Sequence, residues 1–123
     1  MTAWARMGPL PPALAASFLL WALSRPLFGR AEPWDVEMPL YAGVLPLCGI
    51  LIGVLWPGRP VAAYLGFWSG QLAALVVLPG HDAGWLSLGV VTTGIGSLLG
   101  LGGYAAAAVL TRLRGIRRNG GPR

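Results

Sequence analysis

The densest chemistry in the chain lies between Arg30 and Glu37, read Arg-Ala-Glu-Pro-Trp-Asp-Val-Glu, which holds three of the four acidic residues. Glu32, Asp35 and Glu37 supply the carboxylate oxygens that a hard divalent cation takes. Arg25 and Arg30 stand close enough in sequence to neutralise two of the three, and that pairing is the simpler expectation. Trp34, stiffened by Pro33, gives the same stretch an aromatic centre among charges. That composition suits a loop on which another protein docks.

A second set of polar side chains sits inside apolar runs: Ser69, Gln71, Thr92, Thr93 and Ser97. In a membrane such groups bond across helices, at about 0.6–2 kcal/mol each, or they line a narrow polar path. Serine and threonine hydroxyls reach carbonyls of their own helix. An amide at Gln71 does not satisfy itself that way, so Gln71 is the residue that demands a partner from another helix.

Other reactive types are scarce. Cys48 is the single cysteine, so no intrachain disulfide or paired-cysteine zinc site can form. One histidine excludes bis-histidine haem ligation within one chain. His81-Asp82 is a neighbouring pair inside a tight turn, Pro79–Gly84. No phosphate-cradling glycine loop and no Ser/His/Asp set can be assembled. The sequence therefore predicts no enzyme, no cofactor and no metal centre.

The elements that must position these residues are helices in lipid. Of 123 residues, 55% are hydrophobic and only 11% charged, and the mean hydropathy is +0.66. Soluble domains carry about 25% charged residues, and a chain this small cannot bury so much apolar surface by itself. A spanning helix takes about 20 apolar residues. Four segments qualify, at about 10–28, 38–56, 61–78 and 85–110, which predicts an all-α integral membrane protein, a single domain over 1–123 folded as an up-down bundle. Pro11 and Pro12 suit the first turn of the first helix. Pro46 falls in the interior of the second, where a kink is expected. The four-residue turn Pro57-Gly58-Arg59-Pro60 predicts an antiparallel pair of the helices it joins. The first segment has a second reading as a cleaved signal peptide, with Arg6 ahead of Ala13–Trp21 and a cut after Ser24.

Small residues recur four apart: Gly49 and Gly53; Gly66, Gly70 and Ala74; Thr92, Gly96 and Gly100. Such rows let backbones approach closely, within the bundle or, through the fourth helix, between copies.

All nine basic residues are arginine. Five occupy the last twelve residues, which makes 111–123 a basic tail, expected to leave the membrane as a frayed or amphipathic helix end and become disordered from Asn119. Arg112, Arg114, Arg117 and Arg118 follow a hydrophobic span, so anionic lipid and not nucleic acid is the expected partner. With four spans, Arg6, Arg59 and the tail share one side while Arg25 and Arg30 take the other. The positive-inside rule then puts both termini in the cytoplasm and the acidic loop outside. Arginine without lysine, alongside 19 Gly and 11 Pro, fits a GC-rich bacterial source and an inner-membrane location.

The Glu-Pro-Trp-Asp stretch, the Pro-Gly-Arg-Pro turn and the Gly-Phe-Trp-Ser-Gly-Gln run resemble small uncharacterised four-span bacterial membrane proteins over roughly residues 30–72. That resemblance implies the four-span fold and no activity. Length and helix count also match the small multidrug-resistance antiporters, but no carboxylate lies inside a span. A fluoride-channel pattern, with a Phe-bearing polar break and a membrane Asn, is missing too. The expected function is that of an accessory or oligomeric membrane subunit acting by helix association. The alternative is a small-solute channel or transporter formed by a homo-oligomer and lined by Gln71, Ser69 and the threonines.

Overall fold

The computed structural model describes residues 3–30, 40–79, 84 and 86–119, and among these the chain is helical with no strand. A short helix α1, Ala3–Met7, precedes four longer ones: α2 Leu10–Phe28, α3 Leu40–Leu55, α4 Pro60–Val77 and α5 Leu86–Asn119.

Local chemistry accounts for most of these limits. Gly8, at φ 72°, separates α1 from α2. Pro11 and Pro12 occupy the first turn of α2, where a missing N–H costs nothing. Pro26 falls in its last turn, and three residues later Gly29 takes the left-handed conformation, φ 70°. The Gly29 N–H closes the helix on the Arg25 carbonyl at 2.9 Å. The Ser24 hydroxyl donates to the Arg30 carbonyl at 3.0 Å and fixes the exit of the chain. α3 continues through Pro46.

Two features depart from the sequence reading. The last helix does not stop at 110: α5 is continuous for 34 residues, to Asn119. Leu, Ile and Arg are good or fair helix formers, and the arginines sit near the C-terminal end of the dipole, where positive charge is favourable. Of the two courses expected from 111 onward, a frayed end or a helical one, the structure has the helix. Length is the second difference. Among the described residues only α4, over Pro60–Val77, and α5, over Leu86–Arg117, are long and apolar enough to cross a bilayer. Tyr41–Leu55 is apolar but shorter, Met38 and Pro39 lying outside the described residues. α2 has 19 residues, but Ser17, Ser24, Arg25 and three prolines dilute its apolar content.

The contacts define an up-down arrangement whose tight pairs are not the sequential ones. α3 packs most extensively on α5 and α2 on α4, α4·α5 joins the two pairs, and α2·α3 touch less. Residues near the starts of α2 and α4 meet, Leu10 with Gly66, and so do residues further along, Leu14 and Ser17 with Gly70, so these helices run parallel. Gly49 against Gly100 and Gly53 against Ala107 make α3 and α5 parallel as well. Leu75 against Gly89 and Phe67 against Gly100 make α4 and α5 antiparallel. The turn at Pro57–Pro60 reverses the chain as expected, yet α3 and α4 are not packing neighbours, because each finds a closer partner across the bundle.

The core between them contains Trp21, Leu45, Phe67 and Tyr104, each less than 2% exposed. The outward faces are also apolar: Leu19, Leu23 and Leu27 on α2, Leu47 and Leu51 on α3, Val61 and Val76 on α4, Val91 and Ile95 on α5 are exposed.

Candidate functional site

The polar residues of the interior converge on Gln71, which is fully buried on the inner face of α4. Its Oε1 accepts the Tyr41 hydroxyl of α3 and the Trp21 indole N–H of α2, the latter at 3.4 Å. Its Nε2 donates to the Ser97 hydroxyl of α5 at 2.8 Å and to the Phe67 carbonyl one turn back in α4 at 3.3 Å. A glutamine amide has two acceptor positions and two donor hydrogens, so all four are engaged. One side chain therefore links α2, α3, α4 and α5.

The fully buried Ser97 and Thr93 extend this centre along α5. Ser97 receives the Gln71 amide and passes its own proton to the Thr93 carbonyl at 2.7 Å. Thr93 donates to the Gly89 carbonyl at 2.7 Å. Thr92, only partly buried, donates to the Leu88 carbonyl at 2.9 Å, and Ser69 to the Gly66 carbonyl at 3.2 Å. These hydroxyls serve the carbonyls of their own helices; Gln71 and Ser97 carry the interhelical link. Among the described residues every buried side-chain nitrogen or oxygen has a hydrogen-bond partner.

The glycines set the distances at which this centre closes. Gly66 and Gly70 lie against Leu10, Ala13, Leu14 and Ser17 of α2. Gly49 lies on the Gly100 carbonyl and Gly53 on the Tyr104 carbonyl. Gly96 lies under the Tyr41 hydroxyl, and Gly100 also under the Phe67 ring. The Gly96–Gly100 row is thus occupied by side chains of this same chain.

A second polar junction lies at the other end of the bundle. The fully buried Tyr104 hydroxyl accepts the Arg59 backbone N–H at 2.8 Å and donates to the Trp56 carbonyl at 2.6 Å, pinning α5 to the α3–α4 turn. The Arg59 guanidinium rests over Gly8, where a Cβ would come within 3.2 Å of it. Tyr64 and Trp68 add two links from α4 to α5 carbonyls, at Gly94 (3.0 Å) and Val90 (3.2 Å).

Trp21 and Tyr41 are the residues that sequence reasoning overlooked. Their signal is general: a buried Trp or Tyr keeps a polar N–H or O–H that needs an acceptor, and Gln71 was already the acceptor in search of partners. Of the loop residues singled out above, Arg30 is exposed, while Glu32, Trp34, Asp35 and Glu37 lie outside the described residues, as do His81 and Asp82. Arg25, expected to face the acidic loop, donates to the Pro79 carbonyl at 3.5 Å, in the α4–α5 connection. Arg112, Arg114 and Arg117 are exposed on the final turns of α5.

Among the described residues, the side chains that bond Gln71 are the Tyr41 and Ser97 hydroxyls and the Trp21 indole, with no carboxylate or imidazole beside them to activate a hydroxyl. What this centre can do is hold four helices in register. No family model, curated protein or solved structure matches the chain.

Proposed function

We propose that this chain is a multi-pass protein of the bacterial inner membrane that works by association, as an accessory subunit or a homo-oligomer, and not by catalysis. The observation that carries this reading is the inversion of polarity about the bundle. Leucine, valine and isoleucine face outward from all four long helices, whereas Trp21, Tyr41 and Ser97 turn their polar atoms inward onto Gln71 with every amide position taken. An aqueous environment favours the opposite distribution. α4 and α5 span by their own length, and α2 and α3 are carried with them by packing. On this reading both termini are cytoplasmic, since the end of the bundle that holds Arg59 also holds the C-terminal arginines.

The engaged state of Gln71 also favours association over conduction. A solute path needs polar groups that exchange partners with the solute, and the central amide has none to spare. The loop that includes Arg30, Glu32, Trp34, Asp35 and Glu37 is then the extracytoplasmic docking segment, with Trp34 as its anchor.

A blue-native gel of membranes dissolved in mild detergent tests the proposal. Migration with another subunit, weakened by Trp34→Ala, or as a discrete homo-oligomer supports it; a monomer at all protein concentrations overturns it. A reporter fused after Arg123 should be active on the cytoplasmic side, and a periplasmic signal there would refute the orientation.

A further inference from the structure

α5 is longer than a bilayer requires. Its 34 residues extend about 51 Å, against a hydrocarbon core of about 30 Å. The last residue that it buries in the bundle is Ala107, against Gly53 of α3. Beyond it the helix continues for a dozen residues, of which Val109, Leu110 and residues 112–117 are exposed. Val109, Leu113 and Ile116 fall on one stripe at helical spacing, with Leu113 54% and Ile116 69% exposed. Arg112, Arg114 and Arg117 are exposed around them.

Charge along the chain is divided sharply. Arg6, Arg59 and the five arginines that follow Tyr104 belong to one end of the bundle by helix direction. All four acids, Glu32, Asp35, Glu37 and Asp82, lie outside the described residues; in the sequence they fall between α2 and α3 and between α4 and α5. Among the described residues the arginine end has no acid to neutralise it. One of its cations is held in place: the Arg59 backbone is fixed by the Tyr104 hydroxyl, and its guanidinium lies over Gly8. A second copy side by side in the same orientation would bring the same sign of charge to this end, so it leaves these arginines unneutralised wherever else the copies meet. Phosphate-bearing anionic lipid has the complementary charge, and its acyl region accepts the Leu113–Ile116 stripe.

We propose that the extension of α5 beyond Ala107 is an anionic-lipid anchor, in which Arg112, Arg114 and Arg117 bind headgroup phosphates while Leu113 and Ile116 enter the interface, with Arg59 as a fixed cation at the same surface. The proposal rests on the membrane reading given above. Lipid selectivity, and not only orientation, is then built into this helix.

The test uses the full chain in lipid nanodiscs, with Cys48→Ser and Leu113→Cys carrying an environment-sensitive dye. Discs of phosphatidylcholine alone are compared with discs containing one-third phosphatidylglycerol. The anchor predicts a blue-shifted emission in the anionic discs that is reversed by raising salt from 0.05 to about 0.5 M, because the interaction is screened. It also predicts loss of that shift in the Arg112→Gln/Arg114→Gln/Arg117→Gln variant, whose substitutions lie outside the packed bundle. Arg25→Gln, at the other end, should leave the shift unchanged. Equal emission in both lipids, as expected if the extension serves an acidic protein partner, overturns the anchor while leaving the membrane reading intact. A chain recovered outside the discs overturns both.

Discussion

The two parallel helix pairs, α3·α5 and α2·α4, close by different means. In α3·α5 glycine meets backbone from both sides: Gly49 of α3 lies on the Gly100 carbonyl, and Gly103 of α5 lies on the Pro46 carbonyl. In α2·α4 the glycines are on α4 alone, and α2 offers ordinary residues, with Leu10 and Leu14 presenting carbonyls and Ala13 and Ser17 presenting short side chains. A carbonyl within a helix cannot withdraw without breaking its own hydrogen bond, whereas a side chain can turn. Gly66 and Gly70 face the Leu10 and Leu14 carbonyls as well, so neither pair should tolerate an added atom; the difference is that at Gly70 one obstacle, the Ser17 hydroxyl, belongs to a side chain that can be removed. Between them, Gln71 contributes direction instead of proximity, since its partners come from both pairs.

The largest effect should come from Gly49→Ala or Gly103→Ala. Either methyl would land on a backbone carbonyl, which places the cost at or above the upper end of overpacking, about 3 kcal/mol. Thermal unfolding in detergent should show a large fall in the midpoint or no folded fraction; an unchanged midpoint would mean that the α3·α5 seam is not closed as described. Next comes Gly70→Ala, whose methyl meets the Ser17 hydroxyl and the Leu14 carbonyl. Pairing it with Ser17→Ala should recover part of the loss, because one of the two obstacles is a side-chain atom. No recovery would erase the distinction between the seams.

Gln71→Leu keeps the volume but removes the acceptor for Tyr41 and Trp21 and the donor to Ser97. A loss of about 2 kcal/mol is expected from interhelical bonds of about 0.6 kcal/mol upward each, with additional cost for leaving buried polar groups less well served. Gln71→Glu should be worse than Gln71→Leu near neutral pH, because a carboxylate would be charged at a buried site and lacks the amide donor. The same unfolding assay ranks the two. The smallest effects belong to glycines without a neighbour. Gly89→Ala meets only the flexible end of Leu75, at 2.9 Å, and Gly43 and Gly102 meet nothing within 4 Å. The first should cost about 1 kcal/mol and the other two should stay within about 0.5 kcal/mol of wild type.

Much of the helical layout was legible before the structure. Pro11, Pro12 and the Pro57–Pro60 turn mark helix limits by local chemistry alone, and the four-residue spacing of Gly49/Gly53 and Gly66/Gly70 identifies faces made for close approach. The amide at Gln71 stands out because no neighbour in sequence can satisfy it. Which helices pair was not legible, since a row of small residues states that something comes close without stating what. The turn at Pro57–Pro60 even suggested the wrong neighbour, because a short connection limits distance at one end only. Trp21 and Tyr41 were hidden by their types: both read as apolar mass until an acceptor is placed beside their polar atoms. For residues 111–119 the sequence left a frayed end and an amphipathic helix both open, and Arg and Leu propensity together with the helix already formed carried it on as helix.

The bundle spends the polar groups of its Gln71 centre on holding four helices together, which leaves the amide nothing to offer a passing solute. The most direct measurement is osmotic light scattering of proteoliposomes holding the purified chain, challenged in turn with glycerol, urea, potassium chloride and sodium formate. The account predicts swelling rates equal to those of empty liposomes for every solute, in wild type and Gln71→Leu alike. Rapid entry of any one solute through the wild-type protein, lost in Gln71→Leu while the chain stays folded, would contradict it and make Gln71 the wall of a path.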